Sequence, residues 1–238
     1  MLRTLWPVAV LVTAMGCKDG GTPAGEPGGD TTVAGTGTAP AMPEVDPRPA
    51  LQRRISLDVA DIPLTQVAAQ LGKGGSFEIV YDDKLDRSLL TKPVTLRLNR
   101  VTVDSLLYWV GETVGLTYYV DENRVVLTTV DRQTSARAQD LEKFRAALER
   151  RWRPAVEESL KSRKISCDVE DITLAEAAEL LRTRYGVNSV ASPELMETKV
   201  TVKVQERPIA EVLDVLAKSA GAGWVLEHEA VHFERVKS

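Results

Sequence analysis

The residues with chemistry to offer are few, and most of them sit in one stretch. His228 and His232 lie among Glu227, Glu229 and Glu234, a set that could supply metal ligands. The familiar metal-binding spacing of four works by stacking two histidines one turn apart on a helix. The alternating residues around them read as a hairpin instead, with His228 in the loop and His232 in a strand. No metal site is therefore expected. Asp82, Asp83 and Asp86 read as a solvated acidic patch, not an acid–base pair. Gly72-Lys73-Gly74-Gly75 follows a helix and precedes a strand. A phosphate cradle needs the reverse order, so a turn is expected there. No nucleophile elbow, Walker loop or dinucleotide fingerprint is present. The chain is expected to be no enzyme and to carry no catalytic residue, metal, cofactor or small-molecule substrate.

Composition narrows the remaining classes. The chain has 238 residues, 43% of them hydrophobic, a net charge of -4 and two cysteines. That charge balance excludes the strongly basic footprint of a nucleic-acid partner. Two cysteines build no disulfide framework. Cys167 falls on the inward face of a strand, where a thiol is inert packing.

The start of the chain has the layout of an export signal. Arg3 precedes an apolar run from Leu5 to Met15, and Gly16-Cys17 follows. Such a run spans about 16 Å as a helix against a hydrocarbon core of ~30 Å, too short for a membrane anchor. Ala14-Met15-Gly16-Cys17 resembles a bacterial lipobox, although leucine is usual at Ala14 and a small residue at Met15. The resemblance implies a signal peptide over 1–16 and lipidation of Cys17. With Lys18 following, it also implies the periplasmic side of the outer membrane. Residues 17–50 are rich in Gly, Pro, Thr and Ala and lack the apolar surface to offset ordering. They are expected to form a disordered tether with a reach of roughly 30 Å.

The body of the chain is written twice. Ile55-Ser56-Leu57-Asp58-Val59 recurs as Ile165-Ser166-Cys167-Asp168-Val169, an offset of 110. Val94-Thr95-Leu96 recurs as Val200-Thr201-Val202, and Gly115-Leu116-Thr117-Tyr118 as Gly221-Ala222-Gly223-Trp224, both at 106. Each copy opens on an alternating strand. A helix follows, begun by Pro63 in one copy and by a Thr173…Glu176 capping box in the other. Two strands come next, then a helix begun by Thr102 or Pro208, and a glycine that suits a left-handed helix end. A hairpin closes each copy, around 121–124 and 227–230. The expected class is α+β: two tandem small βαββαββ domains, each pairing two helices with small sheets. The boundaries are 51–130 and 164–236.

With these motifs in place, Ile55 to Thr128 resembles the short N-terminal domain shared by secretins and TonB-dependent signalling receptors. The resemblance rests on Ile62-Pro63-Leu64, Ile79-Val80-Tyr81, Val94-Thr95-Leu96, Val103 to Leu107 and Gly115 to Tyr118. Ile165 to Glu234 is a more diverged second copy without a Tyr81 equivalent. Together the copies span about 145 of the 238 residues. The resemblance implies periplasmic docking modules, not catalysts. No stretch resembles a secretin pore or an outer-membrane barrel.

Residues 131–163 read as a charged helical linker in two pieces, 136–152 and 154–162, because an interior proline such as Pro154 costs ~3 kcal/mol. Candidate partner-binding residues are Tyr81, Asp82, Asp83 and Trp152. Trp152 has a second reading, in which it packs on one of the domains.

Two functions fit. One is a lipid-anchored interaction module serving a secretin, pilus or TonB-linked envelope system, binding through open sheet edges. The other is an envelope enzyme or small-ligand binder with a site between the copies.

Overall fold

Alternating residues make ribbons here, and two bulges shape each ribbon. The computed structural model describes residues 48–122 and 124–236. In the first repeat β1 (Arg54–Pro63) pairs antiparallel with β3 (Pro93–Thr102), setting Leu57 opposite Leu98 and Val59 opposite Leu96. In the second, β6 (Lys164–Thr173) pairs with β8 (Lys199–Pro208), setting Cys167 opposite Val204 and Val169 opposite Val202. The register slips at matching places in both ribbons. There the chain turns left-handed, at Asp61 and Arg100 in one and at Asp171 and Glu206 in the other. A bulge leaves an N–H out of the ladder. The repeated hydroxyls accept these: Asp61 N–H donates to Thr95 Oγ1 (3.0 Å) and Asp171 N–H to Thr201 Oγ1 (3.1 Å). Arg100 N–H donates to Ser56 Oγ (3.0 Å) and Glu206 N–H to Ser166 Oγ (3.1 Å).

Helices α2 (Leu64–Gly75) and α3 (Val103–Val114) cover the first ribbon, as α5 (Leu174–Tyr185) and α6 (Ile209–Ser219) cover the second. Their starts follow local chemistry. Thr102 Oγ1 accepts from Ser105 N–H, and Thr173 with Glu176 forms the full capping box. Pro63 and Pro208 occupy the capping position itself, in extended backbone.

Each repeat adds a three-stranded sheet. In the first, β2 (Glu78–Tyr81) runs parallel to β5 (Arg124–Thr128), which pairs antiparallel with β4 (Thr117–Asp121). The second repeats this with β7 (Ser189–Ala191), β10 (Ala230–Arg235) and β9 (Ala222–Glu227). The molecule is thus mixed α+β with several small sheets. The described residues all fall within one compact unit.

Three expectations need correction. The linker is one continuous helix, α4 (Ser135–Ser162), with Pro154 inside it. Pro154 is exposed, and its ring removes one donor from the helical ladder. Buried Trp152 and Leu160 hold the helix on either side of it, and Arg153 bonds to Glu149 and Glu157 across it. Leu141 packs into the first core and Leu148 into the second, so α4 serves both. Residues 72–75, expected as a turn after the helix, are the last turn of α2 itself. Phe77 folds back onto them, and a Cβ on Gly75 would meet its ring at 1.9 Å. Ser76, with φ 61°, makes the left-handed exit instead. Finally, 48–50 do not belong to a disordered segment: Arg48–Leu51 form a one-turn helix, α1, whose Leu51 is fully buried. The signal peptide, Cys17 and the rest of the tether lie outside the described residues.

Candidate functional site

The outer edges of the two sheets are the surfaces that a docking module would use, and α4 runs along both. A two-residue turn makes Glu227 and Ala230 a hydrogen-bonded pair. Alternation along the ladder then turns the backbone groups of Leu226, Trp224 and Ala222 outward. Arg153 Nη2 donates to Leu226 O (2.7 Å), closing the first of these positions. Among the described residues nothing takes the outward groups of Trp224 or Ala222. The same logic in the first repeat turns Val120 and Tyr118 outward, and Gln133 Nε2 donates to Tyr118 O (2.8 Å). Arg137 lies 4.0 Å over the Tyr119 ring and 3.1 Å from Asp121.

Beside β9 lies a groove of about 510 Å³, with Leu160, Ala210, Trp224 and Leu226 on its walls and Lys161 at its rim. Val225 stands 38% exposed beside it. Trp224 is fixed by its indole N–H, which donates to Asp214 Oδ1 (2.8 Å). The groove beside β4 is smaller, about 210 Å³.

A second cluster joins the repeats. The β9–β10 turn places His228 and Glu229 in left-handed backbone and pushes both against the first repeat. Glu229 is 6% exposed. Its Oε2 accepts from Thr102 N–H (2.6 Å) and Ser105 Oγ–H (3.2 Å), and Arg54 Nη2 lies 2.6 Å from Oε1. A carboxylate from one repeat thereby caps helix α3 of the other, where the helix dipole favours negative charge. The His228 ring stacks on Tyr108 at 3.5 Å, and its carbonyl accepts from Trp109 Nε1–H (3.1 Å). Burial lowers the His228 pKa to about 4, helped by Arg145 and opposed by Glu227. His232 Nδ1 donates to Glu227 Oε1 (2.7 Å), and Nε2 meets Ser192 Oγ at 3.0 Å. That hydrogen bond holds the Glu227 carboxyl below the usual range. Nearby, Asp104 accepts from the Tyr118 hydroxyl and lies 3.4 Å from Arg145 Nε. Burial raises the Asp104 pKa against the pull of Arg145.

The candidate residues fall out unequally. Trp152 is 7% exposed and packs in the second core, so it is not the exposed docking residue expected. Its large apolar ring found a buried place between α4 and the second repeat. Tyr81 ends β2 half-buried against the first core, and burial raises its hydroxyl pKa. Asp82 builds a turn: Oδ1 accepts from Lys84 N–H (3.0 Å) and Oδ2 from Thr128 Oγ1–H (3.0 Å). The Lys84 bond leads in lowering its pKa. Asp83 is exposed. Cys167 is buried, which raises its thiol pKa. The two histidines occupy a turn and a strand, as the alternating residues around them implied. Among the described residues no group of His, Cys, Asp and Glu is arranged to hold a metal. None of the described helices is long and apolar enough to cross a membrane.

Sequence reasoning missed Tyr108, Trp109, the bond from Arg153 to β9 and the capping role of Glu229. Their partners lie more than 70 residues away, beyond any local pattern. No protein-family model matches the chain, and no curated protein or solved structure matches it either.

Proposed function

We propose that this protein is a lipid-anchored interaction module of the bacterial envelope. In this reading Cys17 holds it at the periplasmic side of the outer membrane. The two repeats, similar to the short N-terminal domains of secretins and TonB-dependent receptors, dock a secretin, pilus or TonB-system component. The observation that carries the reading is the β9 edge. It offers outward backbone groups at Ala222 and Trp224 next to a groove with an apolar wall and a charged rim of Arg153, Glu157 and Lys161, which suits an added strand. Strand addition supplies main-chain hydrogen bonds for affinity and a groove for side-chain selection.

A photoreactive side chain at Val225 tests this in cells. The expected result is one crosslinked envelope component whose yield collapses in Ala222→Pro. The Ala222 N–H points away from β10, so proline there removes a docking donor and spares the ladder. A crosslink that survives Ala222→Pro with the same melting temperature overturns edge docking. For the anchor, Cys17→Ser should move the protein from the membrane to the soluble periplasmic fraction, and retention on membranes rejects it.

A further inference from the structure

We propose that the cleft between α4 and the seam of the two repeats binds a small amphiphilic anion: a carboxylate or phosphate on a short apolar chain. The cleft measures about 370 Å³, within the ~300–1,000 Å³ of small-ligand sites. Its inner wall is apolar, made by Trp152, Leu160, Val187 and Leu226, all buried. Three guanidiniums line it: Arg54 from the first repeat, and Arg151 and Arg163 from α4 and its end.

Charge bookkeeping favours an anion. The one carboxylate in the lining, Glu229, already holds Arg54 together with Thr102 and Ser105. Arg151 and Arg163 bond only to neutral acceptors. Arg151 Nη1 donates to Gln52 Oε1 (3.0 Å), and Arg163 Nη2 donates to Tyr185 O (2.8 Å). Neither is in an ion pair with a described residue. A guanidinium carries five N–H donors, and its fork suits a carboxylate or phosphate in two-point contact. Two such forks beside an apolar wall match a molecule with a charged head and an apolar tail. The chain as a whole is acidic, so this local excess of positive charge runs against its average.

The cleft adjoins the β9 groove, sharing Leu160 and Leu226 with it, but its test turns on Arg151 and Arg163, which line only the cleft. Decanoate and decanol, both below their aggregation limits, are titrated calorimetrically into the full-length chain. Decanoate is expected to bind one to one, and decanol at least about tenfold more weakly. Arg151→Gln and Arg163→Gln should each weaken decanoate by about tenfold and leave decanol unchanged. Equal affinity for the two probes, no binding of decanoate, or full affinity in the double variant overturns the proposal. If a variant fails to fold, the unmodified chain still decides the matter by NMR. Decanoate must shift the Trp152 indole and the Val187 and Asn188 amides, and shifts confined elsewhere reject the site.

Discussion

A hairpin closes each repeat, and the described turn residues meet water in one and protein in the other. In the first repeat the turn begins at Asp121, and Glu122 stands exposed. In the second, His228 and Glu229 occupy the corresponding stretch, stacked on Tyr108 and capping α3. The scaffold is shared down to its bulges. The difference therefore comes from which surface each turn happens to face, and it makes one turn part of a joint that also holds Asn99 against Asn188 and Arg182 against Asp58.

Removing Glu229 should break that asymmetry most sharply. Glu229→Ala leaves the Thr102 N–H buried and Arg54 without its carboxylate, at a cost of about 3 kcal/mol in urea unfolding. Glu122→Ala, on the exposed turn, should stay within about 0.5 kcal/mol. Equal losses in the two variants would erase the distinction.

Acid should act on the same turn. The His228 pKa is depressed in the folded state, so the unfolded chain binds the proton more readily below the ordinary histidine range. Stability is then full above the unfolded value and is lost as pH falls toward the folded one. From pH ~7.5 to ~5 the drop should be about 2 kcal/mol. Glu227, with a lowered pKa, adds a loss of the same sign at still lower pH. His228→Asn keeps a residue that tolerates left-handed backbone and removes the proton. Its melting temperature should lose most of this slope, and an unchanged slope would locate the titration elsewhere.

The bulge hydroxyls probe what the repeats share. Thr95→Val and Thr201→Val should each cost about 1 kcal/mol, since each leaves an aspartate N–H to exposed solvent or to nothing. Matching values in chemical denaturation are expected. A cost confined to one repeat would show that the two ribbons are not held alike.

Much of this architecture was legible in the letters. Helix starts at Thr102 and Thr173, the strand faces and the element order all follow from patterns within a dozen residues. Ser56, Ser166, Thr95 and Thr201 were visible as repeated letters, but not as acceptors for bulge amides, because nothing in an alternating pattern marks where the register slips. Pro154 misled in the opposite direction. Local propensity breaks a helix there, and burial of Trp152 and Leu160 on either side overrides it. The seam was illegible for a different reason, since Glu229 and Thr102 are 127 residues apart and neither position looks unusual by itself.

That separation sets an order of events. Helix α3 can form as soon as its own residues are made, but its first turn stays uncapped by Glu229 until the C-terminal hairpin exists. A contact this distant closes a long loop, and such contacts form slowly. The first repeat should therefore pass through a stage in which it is folded but loose at the start of α3. The β9–β10 hairpin then tightens a helix laid down more than a hundred residues earlier.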